Sequence, residues 1–290
     1  MKRIGMVFDN AIVGGITSVG INYLKIFKKL GYTSDVYVVG KFDQLIINEL
    51  SNHTKNIYIR KLPERICPEF SWKIAERYVF GKFVFPFIYI MLSFVVWFYK
   101  MFTKKRIYDI TIAFSGHIND LTFVGDNFIK GKKKVAWLHG NQTGYYIITR
   151  GFAFLYKKIK NIVVLSDDDK EVCKKINNLF GINYKKIYNP IFDNVKKIDN
   201  KVVRELNNKY GEFILSVGRL SNDKDPETII EAYKILREKY NISNKLVFVG
   251  DGPKKDWLID YVSNCGLECY IFFVGSKMDV QNYYSAAKLF

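Results

Sequence analysis

The sequence predicts an α/β protein built from two domains, and three observations carry that prediction. Short apolar runs such as Phe213–Val217 and Lys245–Val249 alternate with stretches of helical periodicity, the pattern of a parallel sheet with crossover helices. Glycines close several of these runs where a tight turn is needed, as at Gly218 and Gly250. Charge divides the chain, since residues 1–201 hold 33 Lys and Arg against 16 Asp and Glu whereas residues 202–290 hold 12 against 12. The whole excess of +17 therefore lies in the first part. Such asymmetry fits a domain facing an anionic partner, either a membrane surface or nucleic acid; a compositional drift toward lysine would give the same count. The expected boundaries are a first domain over 1–192, a linker over 193–201 and a second domain over 202–290.

With 290 residues, 49% of them hydrophobic, the chain can fill two ordinary cores. Cys67, Cys173, Cys265 and Cys269 form no disulfide framework in a chain this long without a secretory pattern, so a reducing compartment is expected. Only Cys265 and Cys269 are close in sequence, and the three histidines are scattered, so no zinc site is expected.

In the first domain, Lys2–Phe8 reads as a strand. Asp9–Gly20 then carries Gly14 and Gly15 ahead of Ile21, Leu24, Phe27 and Leu30 at helical spacing. Paired glycines between a strand and a helix let the backbone approach an anion, although the spacing is not GxGxxG and most glycines in such a place merely permit the turn. Asp35–Val39 is a second strand, 42–50 a helix and Ile57–Ile59 a short third strand.

Phe83–Phe102 is apolar almost throughout, and the 17 residues between Lys82 and Lys100 carry no charge. That length is at the lower limit of the roughly 17–25 residues that span a bilayer. Three readings compete: a buried core helix, a spanning helix, and a helix lying in the membrane interface or an apolar acceptor groove. Spanning would split one sheet across the membrane. The interfacial reading is preferred, with Tyr89, Trp97 and Tyr99 at headgroup level and Lys100, Lys104, Lys105 and Arg106 meeting anionic lipid.

Tyr108–Phe114 resumes the sheet, and Ser115-Gly116-His117 follows it. Lys130–Lys134 reads as a basic, hairpin-like approach to a strand at Val135–Leu138 that ends in His139. A histidine at the carboxyl end of a parallel strand stands where open α/β sheets bind ligands, and a structural loop histidine is the alternative. Asn161–Leu165 is a further strand, Asp167–Asn178 a helix capped by Ser166, and Lys185–Phe192 a strand interrupted by Asn189-Pro190.

In the second domain, strands at Phe213–Val217, Lys245–Val249 and Tyr270–Phe273 alternate with helices at Glu227–Tyr240 and Lys254–Cys265. A short helix is expected over Asp279–Ala287 and another strand from Lys288. Arg219 and Lys224 lie in the short loop between the strand ending at Val217 and a helix opening at Pro226. Arg supplies a planar fork and Lys a mobile point charge, so the two can hold neighbouring phosphoryl groups beside a helix amino terminus. The bland alternative pairs Lys224 with Asp223 or Asp225.

The run VGRL, the Lys five residues after its Arg, and the strand end Val249-Gly250-Asp251-Gly252-Pro253 resemble the second domain of retaining GT-B glycosyltransferases of family 4. The resemblance implies two Rossmann-like domains facing a cleft, the second of them incomplete here. It further implies transfer of a sugar from a nucleotide-sugar to a glycan or lipid-linked acceptor in cell-surface polysaccharide synthesis, with retention of configuration. Arg219 and Lys224 then hold the donor diphosphate. Gly14, Gly15, Gly218, Gly250, Gly252 and Gly275 face the donor, and His139, above His53 and His117, lies beside the transferred sugar. The resemblance implies no metal or other cofactor; the absence of a nucleic-acid reading motif argues against a nucleic acid partner, and the apolar, basic segment gives the expected location at the inner face of the cell membrane. The family carries two glutamates eight apart beyond the point matching Phe290, so a truncated, impaired enzyme is expected, with a non-catalytic membrane-surface or nucleotide-sugar-binding protein as the alternative.

Overall fold

The computed structural model describes residues 2–60, 67–101, 106–140, 150–167, 169–171, 181–190 and 198–290. The chain divides into two compact units, Met1–Ile191 and Phe192–Phe290. Most of the expected linker lies outside the described residues, and its last residues already enter a helix that begins at Asn200, capped by the Asp199 carboxylate on the Lys201 N–H.

Unit 1 contains a seven-stranded sheet in the order β3-β2-β1-β4-β5-β6-β7. The strands are β1 (Arg3–Phe8), β2 (Thr33–Val38), β3 (Asn56–Ile59), β4 (Ile107–Ala113), β5 (Lys130–Trp137), β6 (Asn161–Val164) and β7 (Asn183–Lys186). All pairings are parallel. Alternate residues therefore serve opposite cores: Met6 and Phe8 pack with α1 (Gly15–Lys29) and α2 (Gln44–Ser51), while Val7 packs with α5 (Ile118–Gly125) and α6 (Gly151–Ile159).

The basic run Lys130–Lys134 is a correction to the hairpin expectation, for it forms the first half of β5 in parallel register with Ile107–Thr111. Its charges are accommodated because Lys132 reaches the Asp109 carboxylate at 2.7 Å and Lys134 donates to the Gly125 carbonyl at 2.8 Å. The apolar segment is helix α4 (Gly81–Met101), following α3 (Pro68–Ala75). Of its residues only Phe85 and Val96 are buried, so it is not a core helix. Two members of the basic cluster at its end are engaged within the protein. Lys100 donates to the Asp126 carbonyl at 2.7 Å, and Arg106 lies 4.1 Å over the Tyr58 ring and 3.8 Å from Asp35. Lys104 and Lys105 fall outside the described residues.

Unit 2 holds a parallel sheet in the order β10-β9-β8, formed by β8 (Phe213–Val217), β9 (Lys245–Val249) and β10 (Ile271–Phe273). Its helices are α7 (Asn200–Tyr210), α8 (Pro226–Tyr240), α9 (Lys255–Asn264) and α10 (Val280–Ala286). The period of two is plain in β9, where Leu246 and Phe248 join the core under α8 and α9, and Val247 and Val249 join the core under α7 and α10. The chain then returns to the outer edge of β8, where Leu289 bridges Ile214 and its carbonyl accepts the Leu215 N–H at 2.8 Å.

Candidate active site

Both units reverse their strand order at one point. In unit 1 the chain lays down β1, β2 and β3 in one direction and then places β4 on the other side of β1. In unit 2 it lays down β8, β9 and β10 and returns to the free edge of β8. The crevice beyond the carboxyl ends at such a reversal is where open α/β sheets bind ligands.

At the unit 2 reversal, Gly218 and Arg219 follow β8 directly. The Arg219 guanidinium donates through Nη2 to Asp223 at 2.9 Å and through Nε to Ser221 Oγ at 3.0 Å, while Ser221 donates to the same Asp223 oxygen at 2.7 Å. The Ser221 hydroxyl and the Arg219 cation hold the Asp223 carboxyl below its ordinary range. This triangle fixes the fork, and 64% of the Arg219 side chain remains exposed. The expected bland pairing of Lys224 is not seen: Asp223 takes Arg219, Asp225 accepts from Thr228, and no described residue pairs with the exposed Lys224 ammonium. Asp225 caps α8 in the left-handed region at φ 44°, with Pro226 at the first helical position.

The glycines around this loop divide into two kinds. A Cβ at Gly250, where φ is 154°, would stand 1.8 Å from the Gly218 carbonyl oxygen, and one at Gly252 would stand 2.2 Å from the Leu220 carbonyl. These two exist to let the loops after β8 and β9 touch. The contact is fastened by Gly218 N–H to the Val249 carbonyl and Leu220 N–H to the Asp251 carbonyl, at 3.1 and 3.0 Å, while Gly250 N–H reaches the Gly275 carbonyl after β10 at 3.0 Å. Gly218 itself has open space where a side chain would go. Gly275 is in the left-handed region at φ 74°.

In unit 1, Gly14 and Gly15 begin α1. A Cβ on either would meet no protein atom within 4 Å, and Gly14 is extended at φ 167°. Neither packing nor backbone conformation requires glycine there, which leaves room for a ligand as its use. His139 follows β5. Its Nε2 lies 2.8 Å from the Phe114 carbonyl oxygen, an acceptor only, so Nε2 carries the proton and Nδ1 the lone pair. Burial holds this imidazole down to about 4, so it is neutral at physiological pH.

The same strand ends hold residues that sequence reasoning missed. Asp9, directly after β1, is buried and accepts from Asn119 Nδ2 at 2.8 Å, from Asn10 Nδ2 at 2.8 Å and from His117 Nδ1 at 3.1 Å. Its own N–H donates to Ser115 Oγ at 2.9 Å. Asp120, wholly buried, accepts the N–H groups of Ser115, Gly116 and His117 at 2.7, 2.9 and 2.7 Å. Burial pushes its carboxyl up to about 7, against those donors. His53 stands apart, in the turn after α2, beside Glu49. Among the described residues no group of three or more His, Cys, Asp and Glu could hold a metal ion.

Residues 197–290 match the family model Glycosyl transferases group 1. Across the whole chain, the structure resembles HepE of Anabaena, solved with UDP-glucose: 99% of this chain and 72% of that one superpose with a TM-score of 0.67 at 16% identity. The fold is GT-B. Its two Rossmann-like units are the two units described above. Sequence relatives include an uncharacterised glycosyltransferase of Methanocaldococcus jannaschii, 24% identical over 50% of this chain and 38% of its own. Another is the N-acetylgalactosamine-N,N'-diacetylbacillosaminyl-diphospho-undecaprenol 4-alpha-N-acetylgalactosaminyltransferase of Campylobacter jejuni, 32% identical over 38% of this chain and 29% of its own. The chain thus spans less than two fifths of either relative.

Proposed function

We propose that the protein transfers a sugar from a nucleotide-sugar donor to a glycan or lipid-linked acceptor, with Arg219 and Lys224 gripping the donor diphosphate. The observation that carries this reading is the loop after β8: an oriented, largely exposed Arg fork and a Lys with no described partner, at the strand reversal of the unit that matches the group 1 model. Fixed cations stabilise the charge that gathers on a diphosphate as it leaves, so this chemistry asks for no metal or other cofactor. The name of the Campylobacter relative and the bound UDP-glucose of the Anabaena structure support a nucleotide-sugar and a lipid-diphosphate-linked glycan as substrate classes. The family 4 resemblance adds retention of configuration.

The acceptor side is read as meeting the inner face of the cell membrane through α4. Phe83, Phe87, Ile90, Phe94, Trp97 and Met101 recur every three or four residues along it and are each between 53% and 75% exposed. Length and apolarity alone would let α4 cross a bilayer. However, β3 before it and β4 after it belong to one sheet, which favours lying in the interface. With Lys100 and Arg106 occupied inside the protein, burial of these apolar side chains, worth about 1.5–3 kcal/mol for each one fully buried, outweighs the charge contribution to lipid binding.

The test measures nucleotide release from UDP-glucose and UDP-N-acetylglucosamine with and without anionic vesicles. Wild type is expected to turn over faster on vesicles, Phe87→Ser to lose that gain, and Arg219→Ala to lose about 10²- to 10³-fold of turnover. Near-normal turnover in Arg219→Ala removes the role given to it, and vesicle binding without turnover supports a non-catalytic binding protein instead.

A further inference from the structure

The strands of the unit 1 sheet all run parallel, so they all begin at the edge opposite the strand-end crevice. Most of those beginnings carry a cation: Lys2 and Arg3 at β1, Lys55 ahead of β3, Arg106 ahead of β4, Lys130 at β5 and Lys160 ahead of β6. Register gathers the densest part of this row on three neighbouring strands. Ile4 pairs with Ile110 and Ile110 with Lys133, while Lys130 pairs with Ile107 nearer the edge. With adjacent strands about 4.8 Å apart, the backbone positions of Lys2, Lys130, Lys132 and Lys133 fall within roughly 12 Å of one another.

All four are exposed. The carboxylates set into the strands at this edge are occupied, Asp35 by Tyr108, Asn56 and Arg3, and Asp109 by Lys132 and the Arg3 N–H. Even so, 72% of the Lys132 side chain stays open. No described residue holds the ammonium of Lys2, Lys130 or Lys133 in a hydrogen bond or ion pair. Lysines in the last turns of α1 and α6 complement the carboxyl ends of those helices, which close at the same edge. Lysines at strand entries have no such local reason.

The row runs into α4. Helices α5 and α6 carry the chain back from the crevice, so both end at this edge, and α4 touches the end of each. The Tyr89 ring lies 6.0 Å from Lys158 Nζ in the last turn of α6, and Lys100 donates to the Asp126 carbonyl just after α5. The Tyr99 ring is 5.9 Å from that of Phe128, two residues ahead of Lys130. Ile107, 61% exposed and paired with Lys130, continues the apolar surface among the lysines.

We propose that this edge of unit 1 is an anionic-lipid contact, with Lys2, Lys130, Lys132 and Lys133 meeting headgroup phosphates beside α4 and the carboxyl ends of the strands facing away from the bilayer; this rests on the interfacial reading of α4 above. An apolar helix binds lipid without regard to its charge, and exposed ammonium groups beside it add the preference for anionic lipid. Nucleic acid would offer phosphates to the lysines and no hydrocarbon layer to Phe87, Phe94 and Trp97, so the combined surface fits a membrane.

Vesicle flotation tests this, with phosphatidylcholine alone and with equal parts phosphatidylcholine and phosphatidylglycerol. The proteins are the wild type, a triple variant Lys2→Gln, Lys130→Gln, Lys133→Gln, and a control triple in unit 2, Lys201→Gln, Lys209→Gln, Lys239→Gln. The strand-entry triple is expected to lose about 10²-fold of the affinity for anionic vesicles, at about fivefold per lysine, and to bind phosphatidylcholine as the wild type does. The control should keep the anionic preference, and about 1 M salt should erase it in the wild type. Lys130→Gln alone, expected to lose about fivefold, repeats the test with the least change to the fold. If the strand-entry triple keeps the preference, or the control loses as much, the contact is overturned and the reading of α4 stands. If duplex DNA strips the wild type from anionic vesicles, the edge serves nucleic acid and the proposal falls. If the wild type floats with neither vesicle, the contact and the reading of α4 fall together. Nucleotide release from UDP-glucose without vesicles reads the transfer chemistry separately and should be alike in all these proteins.

Discussion

The two strand reversals share a topology and differ in almost everything placed on it. After β1 and β4 the two carboxylates are buried and well bonded: Asp9 receives three donors and Asp120 receives three more. After β8 the polar groups are exposed, with Arg219 held at one edge by a triangle and Lys224 by no described residue. Buried groups bonded to one another keep one geometry and hold the strand ends in place. Exposed cations with donors to spare suit a ligand that brings its own negative charge.

Glycine use sharpens the contrast. Gly250→Ala puts a methyl group 1.8 Å from the Gly218 carbonyl in a conformation that side chains rarely adopt, so unit 2 should lose roughly 3 kcal/mol or more, read as a drop in its melting transition. Gly15→Ala meets no protein atom at the start of α1, so stability should hold while the donor KM rises. If Gly15→Ala destabilises as much as Gly250→Ala, the division between packing glycines and ligand glycines is wrong.

A smaller effect concerns His139. An imidazole held down to about 4 stays neutral in the folded protein while the unfolded chain binds a proton below its ordinary 6.5. Stability should therefore be fully present above about pH 6.5 and fall as pH drops toward 4, by about 3 kcal/mol in all. His139→Gln should flatten that part of the profile. With only three histidines in the chain, NMR titration can assign the resonance directly, and a His139 that titrates near 6.5 contradicts the buried, neutral assignment.

Unit 2 was legible because its strands are apolar runs between clear helices. Arg219 and Lys224 could be placed because strand, glycine, cations and Pro226 follow within a few residues. Unit 1 was harder. In β5 the lysines of the first half hide the strand, since Lys132 and Lys134 satisfy their charges on Asp109 and Gly125. Helix α5 was missed because nearly its whole surface is buried, including Asn119, Asp120 and Thr122, so no amphipathic stripe marks it. The Asp9–His117 pair depends on register between distant strands, which a linear reading does not supply. The available signal was local: an Asp immediately after the first strand, and a His followed three residues later by an Asp at the fourth strand's end, the spacing of a capping box.

The central claim is that Arg219 and Lys224 hold a diphosphate. Calorimetric titration with UDP and with uridine, comparing wild type with the Arg219→Ala, Lys224→Ala double variant, tests it most directly. The account predicts that wild type binds UDP at least about tenfold tighter than uridine and that the double variant loses this preference. A double variant that still prefers UDP over uridine to the same degree would contradict it.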